Sequence, residues 1–342
     1  MKIFEVRGTE YEQGFQVGEF FKERLQSQAE KYEKALEKPV LLDFVKGAEA
    51  KLAKEFPKLL DEAYGRADGS GLSRYATLLM YSPEVFKKED GCTTAVLQRP
   101  DGKFLFSHNE DDGGFCYGNV ALVKYVYPDG HWIVGYSVAE KLLGSTWAYN
   151  SDGMVFSSNY IAPAVTDLTS ISRYYMVRDA INAKDLGDVL RRLARLEVAS
   201  PFSFNAIDTK TCEAVNVEKD VRKIYVTPIR ERYARSNHFT SSPYSPIPTT
   251  GNTMFRWWKA NDLLAKLDPE TADIFDVRGV VDFEGPDYMH TIHLSPDRND
   301  AEKEPVTVTN FAFDQEANRF YIRDFLDHEE IIWDYDQFVP NC

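Results

Sequence analysis

The sequence has little of several features that define other classes of protein. Its 342 residues include only four cysteines, which are widely separated and form no C-x-x-C pair, so we expect neither a disulfide scaffold nor a structural zinc site. No apolar run is long enough for a membrane-spanning helix, and the first residues carry no signal-peptide pattern. Lys and Arg number 40 against 54 Asp and Glu, so the excess positive charge that binds nucleic acid is missing. We expect a cytoplasmic chain with reduced thiols and with neither a nucleic-acid nor a membrane partner.

What is present is an ordinary globular composition, with 43% hydrophobic and 27% charged residues, which excludes a disordered chain. Helical spacing of apolar residues runs from residue 9 to about 65, where Gly65, Gly69 and Gly71 predict its end. From Cys92 onward, six short segments rich in β-branched and aromatic residues predict a meander of antiparallel strands. Further helices are predicted at 173–181, 186–196 and 255–267, further strands at 203–208, 214–218, 223–226, 288–293, 306–313 and 319–323, and a loop or lid at 241–251.

The order of these elements indicates the fold class. Helices, strands, helices, strands, a helix and strands follow one another in groups and do not alternate singly. Such grouping favours antiparallel sheets covered by helices, an α+β layered domain, over a doubly wound parallel sheet.

A cysteine directly after a glycine is the most informative local feature. Cys92 follows Gly91 and begins a predicted strand, although a free cysteine is most often a small buried hydrophobe. Asparagines recur around later predicted strands. The pair His290 and His293 falls in a predicted strand, where this spacing puts the two imidazoles on opposite faces, so we expect surface or packed histidines and no metal site.

Several short motifs follow one another along the chain. They are Arg7-Gly8-Thr9 with Glu12, Gly14 and Gly18; Asp90-Gly91-Cys92-Thr93-Thr94; Ser107-His108-Asn109-Glu110-Asp111; Asn150 and Gly153 followed by Ser158-Asn159-Tyr160; and then Asn205, Asn237-His238-Phe239 and Arg256. In this order they resemble the acyl-CoA:6-aminopenicillanic acid acyltransferase family of N-terminal nucleophile (Ntn) hydrolases over nearly the whole chain.

The resemblance implies a four-layer αββα Ntn-hydrolase sandwich of antiparallel sheets. It also implies self-cleavage between Gly91 and Cys92, which leaves a helical segment 1–91 and a catalytic portion 92–342 associated as one structural domain. The catalytic residues would be Cys92 as nucleophile, Asn159 and Asn205 as oxyanion donors, Asp111 at the α-ammonium or an adjacent group, and Arg256 beside the active-site carboxylates. No metal or other cofactor is implied, and the substrate would be a small-molecule amide or an acyl-CoA.

The chemistry suits these residue types. Cleavage before Cys92 would give it a free α-amine, whose pKa of about 7.7–8.0 lets it act as an internal base, so no Cys/His pair is needed. Asparagine amides are neutral donors suited to an oxyanion. A residue without Cβ before the cysteine leaves the path of attack on the Gly91 carbonyl open.

Several positions depart from the family pattern. His108 and Glu110 replace the usual Gln and Trp, and with Tyr160 they are predicted to bind substrate, so the substrate of known members does not carry over. Family members acylate a penicillin nucleus, and insect relatives hydrolyse β-alanyl amides.

Alternatives remain open. One is a bile-salt-hydrolase or acid-ceramidase-like amidase, although the arginine usual beside Asn109 is replaced by His108. Another is a non-catalytic binding protein on the same fold. For single residues, Asn159 and Asn205 could cap strands and Asp111 could belong to a turn. Arg256 could be an ordinary charge on a helix surface.

Overall fold

Two β-sheets face each other, and helices cover both outer surfaces. The computed structural model describes residues 1–86, 91–113, 116, 118–162, 166–241, 251–295 and 305–340. The strands are β1 (Lys2–Arg7), β2 (Gly91–Gln98), β3 (Phe104–Asp112), β4 (Val120–Val126), β5 (Trp132–Val138), β6 (Trp147–Asn150), β7 (Met154–Tyr160), β8 (Phe202–Asp208), β9 (Glu213–Lys219), β10 (Ile224–Pro228), β11 (Arg232–Arg235), β12 (Val306–Asp314), β13 (Arg319–Asp324) and β14 (Glu329–Asp334).

Within the described residues, helices occupy three parts of the chain. They are α1 (Glu10–Phe20), α2 (Lys22–Ser27), α3 (Ala29–Leu36), α4 (Pro39–Glu55), α5 (Pro57–Ser70), α6 (Arg74–Met80), α7 (Pro83–Phe86), α8 (Arg173–Ala180), α9 (Leu186–Ala194), α10 (Gly251–Leu264) and α11 (Ile274–Val281).

The strands that follow one another in the sequence are divided between two sheets. One sheet has the order β1-β4-β5-β6-β7-β8-β9-β10 and the other has the order β11-β2-β3-β12-β13-β14. The predicted meander is therefore divided between β3 and β4. All pairs are antiparallel except β1 with β4, which are parallel. β1 was not predicted, because its partner lies far along the chain and the segment is short.

Three buried apolar clusters hold the layers together. One joins α1–α9 to the outer face of the eight-stranded sheet, and a second fills the space between the two sheets. A third packs α10 and α11 against the six-stranded sheet. This arrangement confirms the predicted α+β, four-layer αββα sandwich. In the described residues no helix combines the length and apolarity that crossing a membrane requires.

The prediction that the glycines of α5 end the helix is wrong for Gly65 and Gly69. The helix continues through Gly65 and Gly69 to Ser70 and ends before Gly71, whose φ of +79° suits glycine. A Cβ at Gly65 would lie 2.0 Å from the Tyr11 carbonyl oxygen, and one at Gly69 would lie 2.2 Å from the Phe15 carbonyl oxygen. These glycines therefore let the backbones of α1 and α5 touch, which propensity alone does not reveal.

Two further predictions need correction. Residues 288–293 do not form a strand, because Tyr288–His290 is a 3-10 helix in which the Asp287 side chain accepts from two backbone amides. Helix α10 begins at Gly251, earlier than predicted. The predicted loop at 241–251 falls mostly on residues 242–250, outside the described residues.

Candidate active site

The register of β2 and β3 brings the central residues together. Cys92 pairs with Glu110, and Thr94 pairs with His108. Side chains alternate along a strand, so all four point to the face that also carries Val96 and Phe106. That face contributes to the core between the two sheets. Cys92 is 2% exposed and the other three are at most 1% exposed, so this polar group is enclosed between the sheets.

The Cys92 thiol contacts a buried carboxylate. Sγ lies 3.1 Å from Glu110 Oε2, within hydrogen-bond reach. The second carboxylate oxygen, Oε1, accepts from Lys141 Nζ at 3.3 Å, and Lys141 also pairs with Asp112 at 2.6 Å. Lys141 enters from the turn after β5. Its charge compensates two buried carboxylates, which explains how they are tolerated beside a thiol.

The Cys92 nitrogen is bound by a side chain beyond the end of a strand. β11 pairs with β2 only as far as Arg235 opposite Thr94. Asn237 follows two residues later, and its Oδ1 accepts from the Cys92 amide at 3.0 Å. Asn237 Nδ2 in turn donates to the Tyr160 carbonyl at 2.8 Å. Sequence reasoning interpreted Asn237 as a turn former, and its place in Asn237-His238-Phe239 was the available signal.

Arg256 fixes the same region from α10. Its Nη1 donates to the Cys92 carbonyl at 2.6 Å and to Thr93 Oγ1 at 2.7 Å, and its Nη2 donates to Asn237 Oδ1 at 2.7 Å. The side chain is nearly buried and lies 3.8 Å from Asp111 Oδ2. Arg256 is therefore not a helix-surface charge. It holds the backbone on both sides of the Cys92 side chain.

Asp111 lies opposite Gly91. A Cβ at residue 91 would be 2.9 Å from Asp111 Oδ2, so a larger residue would require the Asp111 side chain to shift. Asp111 Oδ1 accepts from Thr307 Oγ1 at 2.7 Å. Burial raises the pKa of Asp111 to about 6, while the charge of Arg256 and the Thr307 hydrogen bond oppose the rise.

Asn159 and Asn205 meet around Thr94. Thr94 Oγ1 donates to Asn159 Oδ1 at 3.1 Å, and Asn205 Nδ2 donates to the same oxygen at 3.1 Å. Asn205 Oδ1 accepts from Asn216 at 2.8 Å, so this amide is engaged at both ends. Asn159 Nδ2 is buried and has no hydrogen-bond partner within the described part of the chain. Asn159 lies near the end of β7, whereas Asn205 lies in the middle of β8.

His108 is neutral and has one free ring nitrogen. Burial lowers the pKa of its imidazole to about 3. Nδ1 lies 2.8 Å from Thr94 Oγ1, within hydrogen-bond distance, and the direction of this bond depends on the tautomer of the ring. Nε2 is buried without a hydrogen-bond partner among the described residues. Cys92, His108 and Glu110 each offer one ligand atom within 4.8 Å of the other two, so these residues could hold a metal ion.

A match to a protein-family model decides the family. The model of acyl-coenzyme A:6-aminopenicillanic acid acyl-transferase matches residues 97–305, more than half of the chain. The chain belongs to this acyltransferase family. The matched range contains Asp111, Asn159, Asn205 and Arg256 and begins after Cys92. Membership supports amide hydrolase or acyltransferase activity on small-molecule acyl substrates.

Solved structures show the fold of this acyltransferase-family protein. A variant of conjugated bile acid hydrolase from Clostridium perfringens superimposes with a TM-score of 0.50 at 14% identity, covering 72% of this chain and 93% of that one. Penicillin V acylase from Agrobacterium tumefaciens gives 0.49 at 11% identity, covering 71% and 86%. A search of curated proteins gave no match. The likeness to the bile acid hydrolase shows that the four-layer sandwich is an Ntn-hydrolase fold.

Tyr160 and His290 of the acyltransferase-family protein make no direct contact with Cys92 among the contacts of the described residues. Tyr160 contributes its carbonyl to Asn237, and its ring lies 4.5 Å from the Arg173 guanidinium. His290 is exposed and pairs with Asp287, away from the core. A cleft of about 570 Å³ runs between the start of α5 and the β4–β5 turn, and its lining contains none of the predicted catalytic residues.

Proposed function

We propose that the protein is a cysteine-dependent Ntn hydrolase or acyltransferase that cuts its own chain between Gly91 and Cys92. One observation carries this proposal. The Cys92 nitrogen lies where β11 has ended, and a side chain, Asn237, binds it in place of a strand partner. Converting this nitrogen from an amide to an amine therefore breaks no β-sheet hydrogen bond to β11, and Asn237 Oδ1 can accept from either form.

The cut would proceed by a shift of the acyl group from nitrogen to sulfur. The Cys92 thiol gives its proton to Glu110 Oε2, the contact at 3.1 Å, and the sulfur attacks the Gly91 carbonyl carbon. The Gly91–Cys92 C–N bond breaks, and the proton passes to the departing nitrogen, which becomes the α-amine. Water then hydrolyses the thioester, which leaves the Gly91 carboxylate and the free thiol.

Turnover would use the new amine as the base. Its ordinary pKa of about 7.7–8.0 lets it take the thiol proton near neutral pH. The sulfur attacks an amide or thioester carbonyl, and the amine returns the proton to the leaving group. Water or an amine acceptor then resolves the acyl-thioester, so the same site allows hydrolysis or acyl transfer.

Asn159 would stabilise the oxyanion. Its Nδ2 is a buried donor without a partner in the described structure, and Thr94 and Asn205 fix its oxygen. A donor held in place and left unsatisfied in the resting state is what oxyanion binding requires. We assign Asn205 to positioning Asn159. Asp111 would lie beside the scissile carbonyl through its contact with Gly91.

Mass spectrometry of a trapped acyl adduct tests this function. The purified protein is incubated with N-acyl amino acids, β-alanyl amides, penicillins, a conjugated bile salt and acyl-CoAs, and the peptide that begins at residue 92 is analysed. A substrate should add its acyl mass to Cys92 in the wild type and leave the Cys92→Ala variant unmodified. Equal adducts on both proteins, or an adduct on another cysteine alone, would refute the assignment.

A further inference from the structure

A thiol, an imidazole and a carboxylate converge between the sheets. Cys92 Sγ lies 3.1 Å from Glu110 Oε2, and His108 Nε2 lies 3.8 Å from the same oxygen. Four-coordinate zinc, with bonds of about 2.0–2.3 Å to such atoms, requires ligand atoms about 3.3–3.6 Å apart. The first separation is shorter and the second longer than this, and all three ligand atoms lie within 4.8 Å of one another. Binding of a small divalent ion would therefore require only small shifts of these side chains.

The imidazole is oriented as a metal ligand. Thr94 Oγ1 donates to Asn159 and lies 2.8 Å from His108 Nδ1, and this contact leaves Nε2 directed away from the network around Thr94. This nitrogen is buried and has no hydrogen-bond partner in the described ranges. Metal-binding histidines are commonly fixed in this way by a hydrogen bond to the other ring nitrogen. The unsatisfied Nε2 is an observation independent of the clustering.

The carboxylate is oriented from the other side. Lys141 binds Glu110 Oε1, so Oε2 is the oxygen that faces Cys92 and His108. His108 and Glu110 thus each have an outer contact that fixes the direction of the ligand atom, as in protein metal sites.

We propose that Cys92, His108 and Glu110 form a binding site for a zinc-like divalent cation. One soft sulfur, one imidazole and one carboxylate are a donor set that zinc accepts, with a fourth position left for water or substrate. Hard cations such as Mg²⁺ prefer oxygen donors and are disfavoured here. On binding, the cation replaces the thiol proton, which is released to solvent, and no electron is transferred.

Occupancy would block the nucleophile. This consequence rests on the proposed function, because a sulfur bound to the cation cannot attack the Gly91 carbonyl or a substrate. The cation would therefore inhibit both self-cleavage and turnover, and a chelator would reverse the inhibition. Binding itself does not depend on that function.

Cobalt(II) absorption tests the site without using activity. Co²⁺ is added to the full-length protein as purified, and the sulfur-to-cobalt charge-transfer band and the visible bands of four-coordinate cobalt are recorded, followed by competition with Zn²⁺. We expect one equivalent of Co²⁺ to bind with both bands and Zn²⁺ to displace it. Absence of the charge-transfer band at saturating Co²⁺ would overturn the proposal.

Matched variants assign the ligands. Cys92→Ser should remove the charge-transfer band and Cys116→Ser should retain it, while His108→Gln should abolish stoichiometric binding and His131→Gln should not. Thr94→Val keeps all three ligands and removes the hydrogen bonds of Thr94 Oγ1 to His108 and Asn159, so the affinity should fall about 10–100-fold through the loss of the contact that orients His108. Wild-type binding in His108→Gln would overturn the proposal, provided that circular dichroism shows the variant folded.

The outcomes also separate this site from the proposed function. A chain that stays uncut and inactive after treatment with a chelator, yet shows the cobalt bands when Co²⁺ is added, would leave the metal site standing and refute the function. A cut, active enzyme without the bands would do the reverse.

Discussion

Cys92 differs from the other cysteines in how its atoms are held. Glu110 contacts its sulfur, Asn237 binds its nitrogen and Arg256 binds its carbonyl. Cys116 is a member of the apolar cluster between the sheets, and Cys212 lies in a turn at a φ of +54°. The contrast between these cysteines is the basis of the first prediction.

Cys92→Ala should abolish turnover and leave the fold intact, because it removes only the sulfur. Cys116→Ala, Cys212→Ala and Cys342→Ala should each keep most of the activity. Steady-state kinetics with the substrate found by adduct trapping measures both outcomes. Full activity in Cys92→Ala would end the cysteine mechanism.

The two asparagines should differ in their effects. Asn159→Ala removes the proposed oxyanion donor and should lower kcat by about 10²–10³-fold with a smaller change in KM. Asn205→Ala acts through Asn159 and should lower kcat less, and Asn205→Asp should not restore it because no amide hydrogen returns. A loss confined to KM in Asn159→Ala would indicate substrate binding instead.

The buried imidazole of His238 should make the stability of the fold depend on pH. Burial, followed by the charges of Arg235 and Arg256, lowers the pKa of this imidazole to about 4. Between pH 6.5 and 4 the unfolded state therefore binds a proton that the folded state does not. The free energy of unfolding consequently decreases as the pH is lowered through this window. The loss should be about 1–3 kcal/mol, at about 1.4 kcal/mol per pKa unit.

Urea unfolding at several pH values measures this effect. The difference in unfolding free energy between His238→Asn and wild type should shift in favour of the variant as the pH falls from 7 to 4. The exposed His328 supplies the control, since His328→Asn removes no buried imidazole. Parallel pH profiles for His238→Asn and wild type would contradict the prediction.

At the scale of elements, the contact between α1 and α5 depends on glycine. Gly65→Ala would place a Cβ 2.0 Å from a backbone oxygen that cannot rotate away. The unfolding free energy should fall by about 1–3 kcal/mol, the usual cost of overpacking. Gly47 in α4 is the matched control, because nothing lies within 4 Å of its added Cβ. Gly47→Ala should stabilise by about 0.4–1 kcal/mol. Thermal and urea unfolding measure both effects. Equal changes in the stability of the two variants would contradict the role of Gly65 in the contact between α1 and α5.

Elements with local signals could be predicted from the sequence, and elements that depend on distant contacts could not. The central strands were predictable, since short segments rich in β-branched and aromatic residues are a local signal. The glycines of α5 were misread, because close contact between helices looks like helix breaking when one segment is considered alone. β1 and the 3-10 helix at 288–290 were missed for the same reason, as their structure depends on distant or single side-chain contacts.

For the site, residues in recognisable motifs were predictable and residues placed by topology were not. Cys92, Asp111 and Arg256 lie in motifs, and the fold brings them together. Lys141 has no motif, and its role follows only from its contact with Glu110. Asn237 was in a motif, but its contact with Cys92 depends on where β11 ends.

For the whole molecule, the two parts of the chain on either side of residue 91 are interleaved. β1 pairs with β4, and the helices before residue 87 pack in the apolar cluster on the outer face of the eight-stranded sheet. Separation after a cut would expose this apolar surface, which is unfavourable by about 25 cal/mol per Å². We therefore expect the pieces 1–91 and 92–342 to stay associated.

Intact-mass analysis of freshly purified protein, with a denaturing gel, tests self-cleavage most directly. Scaling the 39.1 kDa chain by residue number predicts pieces of about 10 and about 29 kDa that co-elute under native conditions. Cys92→Ala should remain one uncut chain. A fully active wild-type enzyme that is a single 39.1 kDa chain would contradict the account, because the α-amine could not then be the base.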